Sequence, residues 1–139
     1  MSASAPDLLA RWNACGYYEL VGMRVLRADE AGSDFRITIE ERHLQAYGTG
    51  HGGVIAGLLD AALGLAVLGG LPADEGASTI EMKLNFTAAA RPGELSATGQ
   101  VLHAGRRIVT ASAEAHDAEG RLVAVGQGTF ARFELPAGS

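Results

Sequence analysis

A single carboxylate, Asp60, interrupts the most apolar stretch of the chain. Between His51 and Pro72 nearly every other residue is Ala, Gly, Leu, Ile or Val. A carboxylate buried there without a partner would cost several kcal/mol, so its presence points to a chemical role. General base and nucleophile are both open for Asp60. The alternative is an acid that points to solvent through a gap in the surrounding structure.

The glycines that precede the apolar stretch could activate an electrophile. Gly52 would lie at the start of a helix, where unpaired backbone N–H groups and the positive end of the helix dipole stabilise a developing oxyanion. A glycine also lets a substrate approach the backbone closely. A phosphate loop is disfavoured, because neither GxxxxGK[ST] nor GxGxxG occurs in this stretch.

Gly52 and Asp60 cannot both touch one reacting carbonyl from the same helix. Eight helical residues separate them by about 12 Å along the axis. If both act on one substrate, they must come from different subunits that meet across a two-fold axis. The spacing therefore predicts a homodimer.

The elements that position these residues follow from the hydrophobic pattern. Residues 6–14 predict a short amphipathic helix, and a hairpin follows with strands near 18–28 and 33–41. The long apolar helix spans about 53–69 and ends at a Gly-Gly pair. Four strand-like runs complete the chain, at 78–87, 91–105, 106–117 and 121–135.

The first of these later runs has a period of two. Ile80, Met82, Leu84 and Phe86 alternate with polar residues, which predicts one face on the core and the other toward water or a partner.

Five or six mostly antiparallel strands beside one helix that is apolar all round have one economical arrangement. The sheet must wrap the helix, because such a helix needs cover on most of its circumference. The chain of 139 residues has the size of one domain, so residues 1–139 are predicted to form a single α+β domain.

Composition narrows the range of partners and locations. The net charge of -5, without a basic run, argues against nucleic acid. The lone Cys15 supports neither a disulfide framework nor a zinc site, and the N-terminus has no secretory leader, so we expect a cytoplasmic protein. The apolar helix has the length of a short membrane span, but its glycines, its acid and the absence of interfacial anchors argue against a membrane.

The stretch QAYGTGHGGVIAGLLDAALG, residues 45–64, resembles the hotdog-fold acyl-CoA thioesterases of the phenylacetate-degradation type. His51-Gly52-Gly53 at the helix start, Asp60 seven positions after Gly53, and NFTAAARPGE at 85–94 carry this resemblance. It implies a sheet curled round a central helix and a homodimer with one continuous sheet, often in a dimer of dimers. It also implies hydrolysis of acyl-CoA thioesters without a metal, and we expect no cofactor. Separately, the small helix residues Gly57, Ala61, Ala62 and Gly64 leave room for an aryl or medium-chain acyl group.

The resemblance also implies roles for particular residues. Asp60 matches the catalytic carboxylate and Gly52 the amide that polarises the thioester carbonyl. Gln45 falls where the family has an Asn or Gln that holds the water or the thioester. Thr79, or Ser78 with a shift of one residue, falls near a hydroxyl that positions the water. Gln45 is more typical of the 4-hydroxybenzoyl-CoA thioesterase branch. This mixture of features from two branches leaves the identity of the acyl group open.

Further residues are candidates for binding the substrate. His51 and Gly53 flank the helix start, where His51 can instead cap the helix or fix the loop. Arg91, Arg106 and Arg107 are candidates for the phosphates of CoA, or simply solvated turn residues. Gln45 and Thr79 also have plain structural readings, as a loop residue and as the start of a strand.

Two other functions fit the same architecture. An acyl-thioester dehydratase would place a catalytic His before a Phe-Pro-Gly loop, and no FPG occurs here. A non-catalytic acyl-CoA binding module would use the same pocket without hydrolysis. Acyl carrier protein in place of CoA also remains open.

Overall fold

Two short helices open the part of the chain described by the computed structural model, residues 5–139. α1, Ala5–Asn13, packs its apolar face on the core, as the sequence predicts. α2 spans Gly16–Val21, where the sequence predicted the first strand. That prediction was wrong for two reasons. Tyr18 is buried against Phe35, and Gly22, with φ of 85°, ends the helix in a left-handed conformation that suits glycine.

Six antiparallel strands form one sheet, in the order β1-β2-β4-β5-β6-β3. The predicted hairpin and the four later runs are confirmed, apart from the start of the first strand. The strands are β1 Met23–Asp29, β2 Gly32–Ile39, β3 Glu75–Phe86, β4 Gly93–Ala104, β5 Ile108–Asp117 and β6 Leu122–Glu134.

The long helix α3, Gly52–Gly69, lies in the concave face of this sheet and contacts all six strands. Its mean hydropathy of 1.9 and its length would suit a membrane span, but here it is the core helix that the sheet covers. This is the hotdog arrangement that the sequence predicts. The start of the helix lies one residue before the predicted one.

The sheet approaches α3 most closely at Gly99. A Cβ atom there would lie 2.2 Å from the carbonyl oxygen of Ala62, in the middle of the helix. The fully buried hydroxyl of Ser33 donates a 2.6 Å hydrogen bond to the same oxygen. A small residue and a hydroxyl thus let helix and sheet come together at the centre of the core.

A bulge in β3 alters the faces that its period of two predicts. Thr79 pairs with Phe130 and Glu81 with Thr129, so Ile80 is the extra residue. The bulge resets the alternation, and Thr79 therefore shares a face with Met82. The predicted inner positions of Ile80 and Phe86 are wrong, since these side chains are 55% and 54% exposed.

The two edges of the sheet differ. At the β1 edge, the side-chain amide of Asn13 donates to the carbonyl of Val25 and accepts from its N–H, both at 3.0 Å. At the β3 edge, no strand among residues 5–139 pairs with the outer side, and Ile80 and Phe86 are more than half exposed. The β3 edge is therefore the open one.

Replacing Gly99 by Ala tests the close approach of sheet and helix. We expect Gly99→Ala to lower the free energy of unfolding by about 1–3 kcal/mol, because its methyl group would overlap a helix carbonyl that cannot move freely. Urea unfolding measures the effect. Gly16→Ala is the matched control, since its Cβ meets nothing within 4 Å. Equal stability of the two variants would contradict the packing argument.

Candidate active site

Asp60 lies on α3 at the open β3 side of the molecule. Its Oδ1 accepts a 2.8 Å hydrogen bond from the hydroxyl of Thr79. The bulge at Ile80 is what turns Thr79 toward the helix. Asp60 is half-buried and Thr79 is exposed in the single chain, so the carboxylate is fixed by a partner yet remains reachable. Of the two predicted hydroxyl residues, Thr79 rather than Ser78 makes this bond.

A cavity of about 220 Å³, here called the Asp60 cavity, opens beside this carboxylate. Apart from Asp60 and Thr79, its polar lining comes from Cys15 and the rings of Tyr17 and Tyr18. The remaining lining is apolar or glycine: Trp12, Gly57, Ala61, Gly64, Leu65, Leu68, Ala77 and Phe130. Such a site suits an acyl group, because it offers apolar surface with a few polar groups at one place.

The Tyr18 phenol is the least exposed polar side chain of the Asp60 cavity. The residue is only 4% exposed, and its hydroxyl has no hydrogen-bond partner among residues 5–139. Burial, and after it the nearby Cys15 and Asp60, raise the pKa of this phenol, so it stays a protonated donor. Tyr17 lies closer to the surface, with its hydroxyl against Gly57.

Gly52 lies in a different depression, which it shares with Phe86 and the segment 87–90 that follows β3. Gly52 is the first residue of α3, and its N–H has no acceptor among residues 5–139. A Cβ atom on Gly52 would lie 3.4 Å from the Phe86 ring. The free amide at the positive end of an 18-residue helix is a donor for an incoming carbonyl oxygen.

Gln45 lines the same depression, but its side chain is engaged locally. Its Nε2 donates to the hydroxyl of Thr49 at 2.8 Å, and its Oε1 accepts from the N–H of Tyr47. These bonds shape the turn before α3. One N–H of the amide group remains for a ligand, so both readings of Gln45 stay open.

His51 caps α3, as its structural reading predicts. Its Nδ1 accepts a 2.8 Å hydrogen bond from the N–H of Gly53. This bond uses the amide of Gly53 and leaves that of Gly52 as the free donor. A contact of His51 or Gly53 with substrate stays a prediction.

The structure brings Asp60 together with Thr79, and Gly52 together with Gln45, but it does not bring the two pairs together. The two depressions share no residue. Along the helix axis Gly52 and Asp60 are about 12 Å apart. One chain therefore holds two half-sites.

Arg91 lies far from the adjacent pair Arg106 and Arg107. Arg91 shares a depression with Glu94, Asp117 and Glu119. The backbone N–H of Arg121, together with its guanidinium group, lowers the pKa of Asp117, so this depression already carries negative charge. That charge weakens the attraction of Arg91 for phosphate.

Arg106 and Arg107 are exposed in the turn between β4 and β5, at the other end of the sheet from Arg91. The twelve residues of β4 separate the two ends by about 35 Å. Within one chain, Arg91 and this pair cannot contact the same phosphate group. A role in binding CoA stays a prediction for each.

Sequence reasoning identified Asp60, Thr79 and the small α3 residues Gly57, Ala61 and Gly64 of the cavity lining, but it did not name the other lining residues. Trp12, Cys15 and the two tyrosines approach Asp60 from the N-terminal helices, and the period of the sequence gave no sign that α2 folds back over α3. The available signal was Gly22, a residue type that commonly ends helices, four positions after Tyr18. Among residues 5–139, no group of three or more His, Cys, Asp or Glu could hold a metal ion.

Comparison with known proteins identifies the family and the fold. The sequence profile of the thioesterase superfamily matches residues 47–124. A Deinococcus radiodurans protein named "Putative esterase" is 36% identical over 123 residues, which cover 87% of this chain and 82% of that protein. The conserved protein PA5202 of Pseudomonas aeruginosa is 33% identical, with a TM-score of 0.84 over 88% of this chain and 98% of that one.

The PaaI protein of the E. coli phenylacetic acid degradation operon has the same fold. Its TM-score is 0.84, over 94% of this chain and 95% of that one, at 22% identity. The profile match covers more than half of the chain and includes both half-sites except Gln45. On the basis of these matches and of its hotdog fold, the chain belongs to the thioesterase superfamily.

Proposed function

We propose that the protein hydrolyses acyl-CoA thioesters, with aryl or medium-chain acyl groups, at sites shared between two copies of the chain. Membership of the superfamily supports thioester hydrolysis in general. The proposal of sites shared between two copies rests on one observation, the separation of the two proposed catalytic groups. The carboxylate of Asp60 and the free amide of Gly52 lie in separate depressions of one chain.

The open edge of β3 supports the pairing of two copies. At the β1 edge the side chain of Asn13 pairs with the backbone of Val25. β3 is a twelve-residue strand whose outward-facing backbone groups pair with no strand among residues 5–139, and its Ile80 and Phe86 are exposed. Such an edge binds another strand readily. Antiparallel pairing of β3 with its copy around a two-fold axis would extend the sheet across both chains.

The positions of the half-sites along β3 support the same pairing. Gly52 lies against Phe86, and Asp60 is bonded to Thr79. A two-fold axis midway between these two positions, near Met82 and Lys83, would place the Phe86 end of one strand opposite the Thr79 end of the other. Each Gly52 amide would then face the Asp60 of the second copy. Association of two such dimers into a tetramer stays a prediction.

In the proposed reaction the Gly52 amide binds the thioester oxygen, and Asp60 acts on the carbonyl carbon. As a general base, Asp60 takes a proton from water while the water oxygen bonds to that carbon. The C–S bond then breaks, and the CoA thiolate takes up the proton. As a nucleophile, Asp60 would attack the carbonyl carbon and break the C–S bond, which gives a mixed anhydride and the CoA thiolate. Water then hydrolyses the anhydride to the free acid and the Asp60 carboxylate, and the thiolate takes up the proton released. In either route Thr79 fixes one carboxylate oxygen and leaves the other for the reaction.

Replacing Asp60 by Asn tests the catalytic carboxylate. We expect Asp60→Asn to lower kcat for acyl-CoA hydrolysis by at least about 100-fold, because the amide can neither accept a proton nor attack the carbonyl. Thiol release over a panel of acyl-CoAs measures it, and thermal unfolding checks the fold. Near-normal turnover would refute the assignment. Tight binding by the wild-type protein without any thiol release would favour the binding module.

Thr79 tests the positioning of that carboxylate. Thr79→Val keeps the shape of the side chain and removes the donor, so we expect kcat to fall about 10- to 100-fold with little change in KM. Thr79→Ser keeps the hydroxyl and should retain most of the activity. An equal loss in both variants would indicate that the methyl group, and not the hydrogen bond, matters.

Gly52→Pro removes the proposed oxyanion donor at little structural cost. Proline is favoured at the first position of a helix, and His51, with φ of -60° and ψ of 136°, already has the conformation that precedes proline. We expect kcat to fall by about 10²–10³-fold. Gly52→Ala keeps the N–H and is the control for added bulk beside Phe86. If Ala and Pro lower kcat equally, the amide is not the donor.

Mixing two inactive variants tests whether the sites are shared. A heterodimer of Asp60→Asn and Gly52→Pro chains would contain one site with both native groups and one site with neither. After exchange of subunits we expect about a quarter of the wild-type activity, since half of the dimers are mixed. If both groups act within one chain, every site stays defective and no activity returns.

A further inference from the structure

The Asp60 cavity and a neighbouring groove meet at one point of the structure. The groove, of about 360 Å³, is lined largely by apolar side chains, among them Leu8, Leu71, Phe133 and Leu135. Three residues line both spaces: Trp12 of α1, Leu68 of α3 and Ala77 of β3. They come from three different elements and together form the boundary between the two spaces, here called the constriction.

We propose that Trp12 is the end wall of the acyl site and sets the longest acyl group that the protein accepts. This inference rests on the proposed function, in that the Asp60 cavity holds the acyl group. It adds a residue that determines specificity, and it assigns the groove as space that the wild-type substrate does not reach.

The length of the Asp60 cavity follows from the residues of α3 that form its floor. Asp60, Gly64 and Leu68 follow one another at intervals of four residues on α3, so they form a single stripe. This stripe extends about 12 Å from the carboxylate to the constriction. That distance suits an aryl or medium-chain acyl group and excludes a long chain, as long as the wall stays closed.

Trp12 is the residue of the constriction that can close it. Leu68 and Ala77 belong to the central helix and the sheet, and Ala77 has only a methyl side chain. The Trp12 ring instead comes from the outer helix α1 and packs on the Tyr18 ring, with centroids 5.8 Å apart. Tyr18 in turn contacts the buried Phe35, which holds the wall in place. Trp12 is half-buried, so one side of its ring remains free to face the cavity.

Two single residues make this inference directly measurable. Trp12 is the only tryptophan and Cys15 the only cysteine of the chain, and both line the Asp60 cavity. Tryptophan emission therefore reports contact with the wall, and alkylation of the cysteine by iodoacetamide reports occupancy of the cavity.

The binding experiment uses the Asp60→Asn protein, so that the ligand is not consumed. Free CoA and straight-chain acyl-CoAs of increasing length are added until Cys15 is protected from alkylation. We expect Trp12 emission to stay constant for CoA and short chains, and to shift once the chain reaches the wall. Constant emission at every length, with Cys15 protected, would overturn the inference.

The kinetic experiment compares chain-length profiles. For the wild-type protein, kcat/KM should fall beyond the length at which emission shifts. Trp12→Ala should raise kcat/KM for longer chains by about tenfold or more relative to the wild type. Trp12→Leu keeps an apolar contact with Tyr18 and is the second variant if Trp12→Ala does not fold. Unchanged profiles in the folded variants would contradict the proposal.

Filling the cavity gives the opposite test. Gly64→Ala adds a methyl group 3.6 Å from Phe130, an ordinary contact, in the middle of the stripe. It should shift the preference toward shorter acyl groups. Gly70→Ala, outside the cavity, is the matched control and should leave the profile unchanged.

The results separate this inference from the proposed function. If hydrolysis depends on Asp60 but the chain-length profile is the same in the Trp12 variants as in the wild type, the proposed function stands and the assignment of Trp12 as end wall is wrong. If Trp12 emission shifts with acyl length but the wild-type protein hydrolyses no thioester, the assignment of Trp12 as end wall is supported and the proposed hydrolase function is rejected.

Discussion

The apolar surface of α3 is the constraint on which the rest of the structure depends. A helix with no polar face cannot lie on a sheet with one side in water, so the six strands curl round it. The close fit needs Gly99 and the Ser33 hydroxyl at the centre. It also means that a polar group on this helix can function only where the cover is incomplete. The side of β3 is that place, and Asp60 lies there.

The same constraint explains why the two proposed catalytic groups lie apart. The free amide of a helix occurs only at its first turn, whereas Asp60 needs a neighbour on the sheet to hold its carboxylate. Gly52 and Asp60 therefore occupy different turns of α3 and meet different parts of β3. In the proposed dimer, the two-fold axis would bring the Gly52 end of one helix to Asp60 of the other, so that each helix would contribute to two sites.

Much of this could be predicted from the sequence, because it depends on periodicity and spacing. The apolar run gave α3 to within one residue, and the distance between Gly52 and Asp60 followed from helix geometry alone. The features that escaped prediction depend on contacts distant in the chain. The bulge at Ile80 is set by pairing with β6, and α2 is stabilised by packing of Tyr18 on Phe35. The cavity walls depend on α2, so they escaped as well.

The pairing of Asn13 with Val25 has a consequence for assembly. A sheet with two free edges could add molecules at both, and growth would continue into fibrils. Here one amide side chain occupies the backbone of the outermost strand and takes the place of a neighbouring molecule. In the proposed dimer, pairing through the remaining edge would therefore end after a single partner, and the apolar side chains exposed there would not lead to polymerisation.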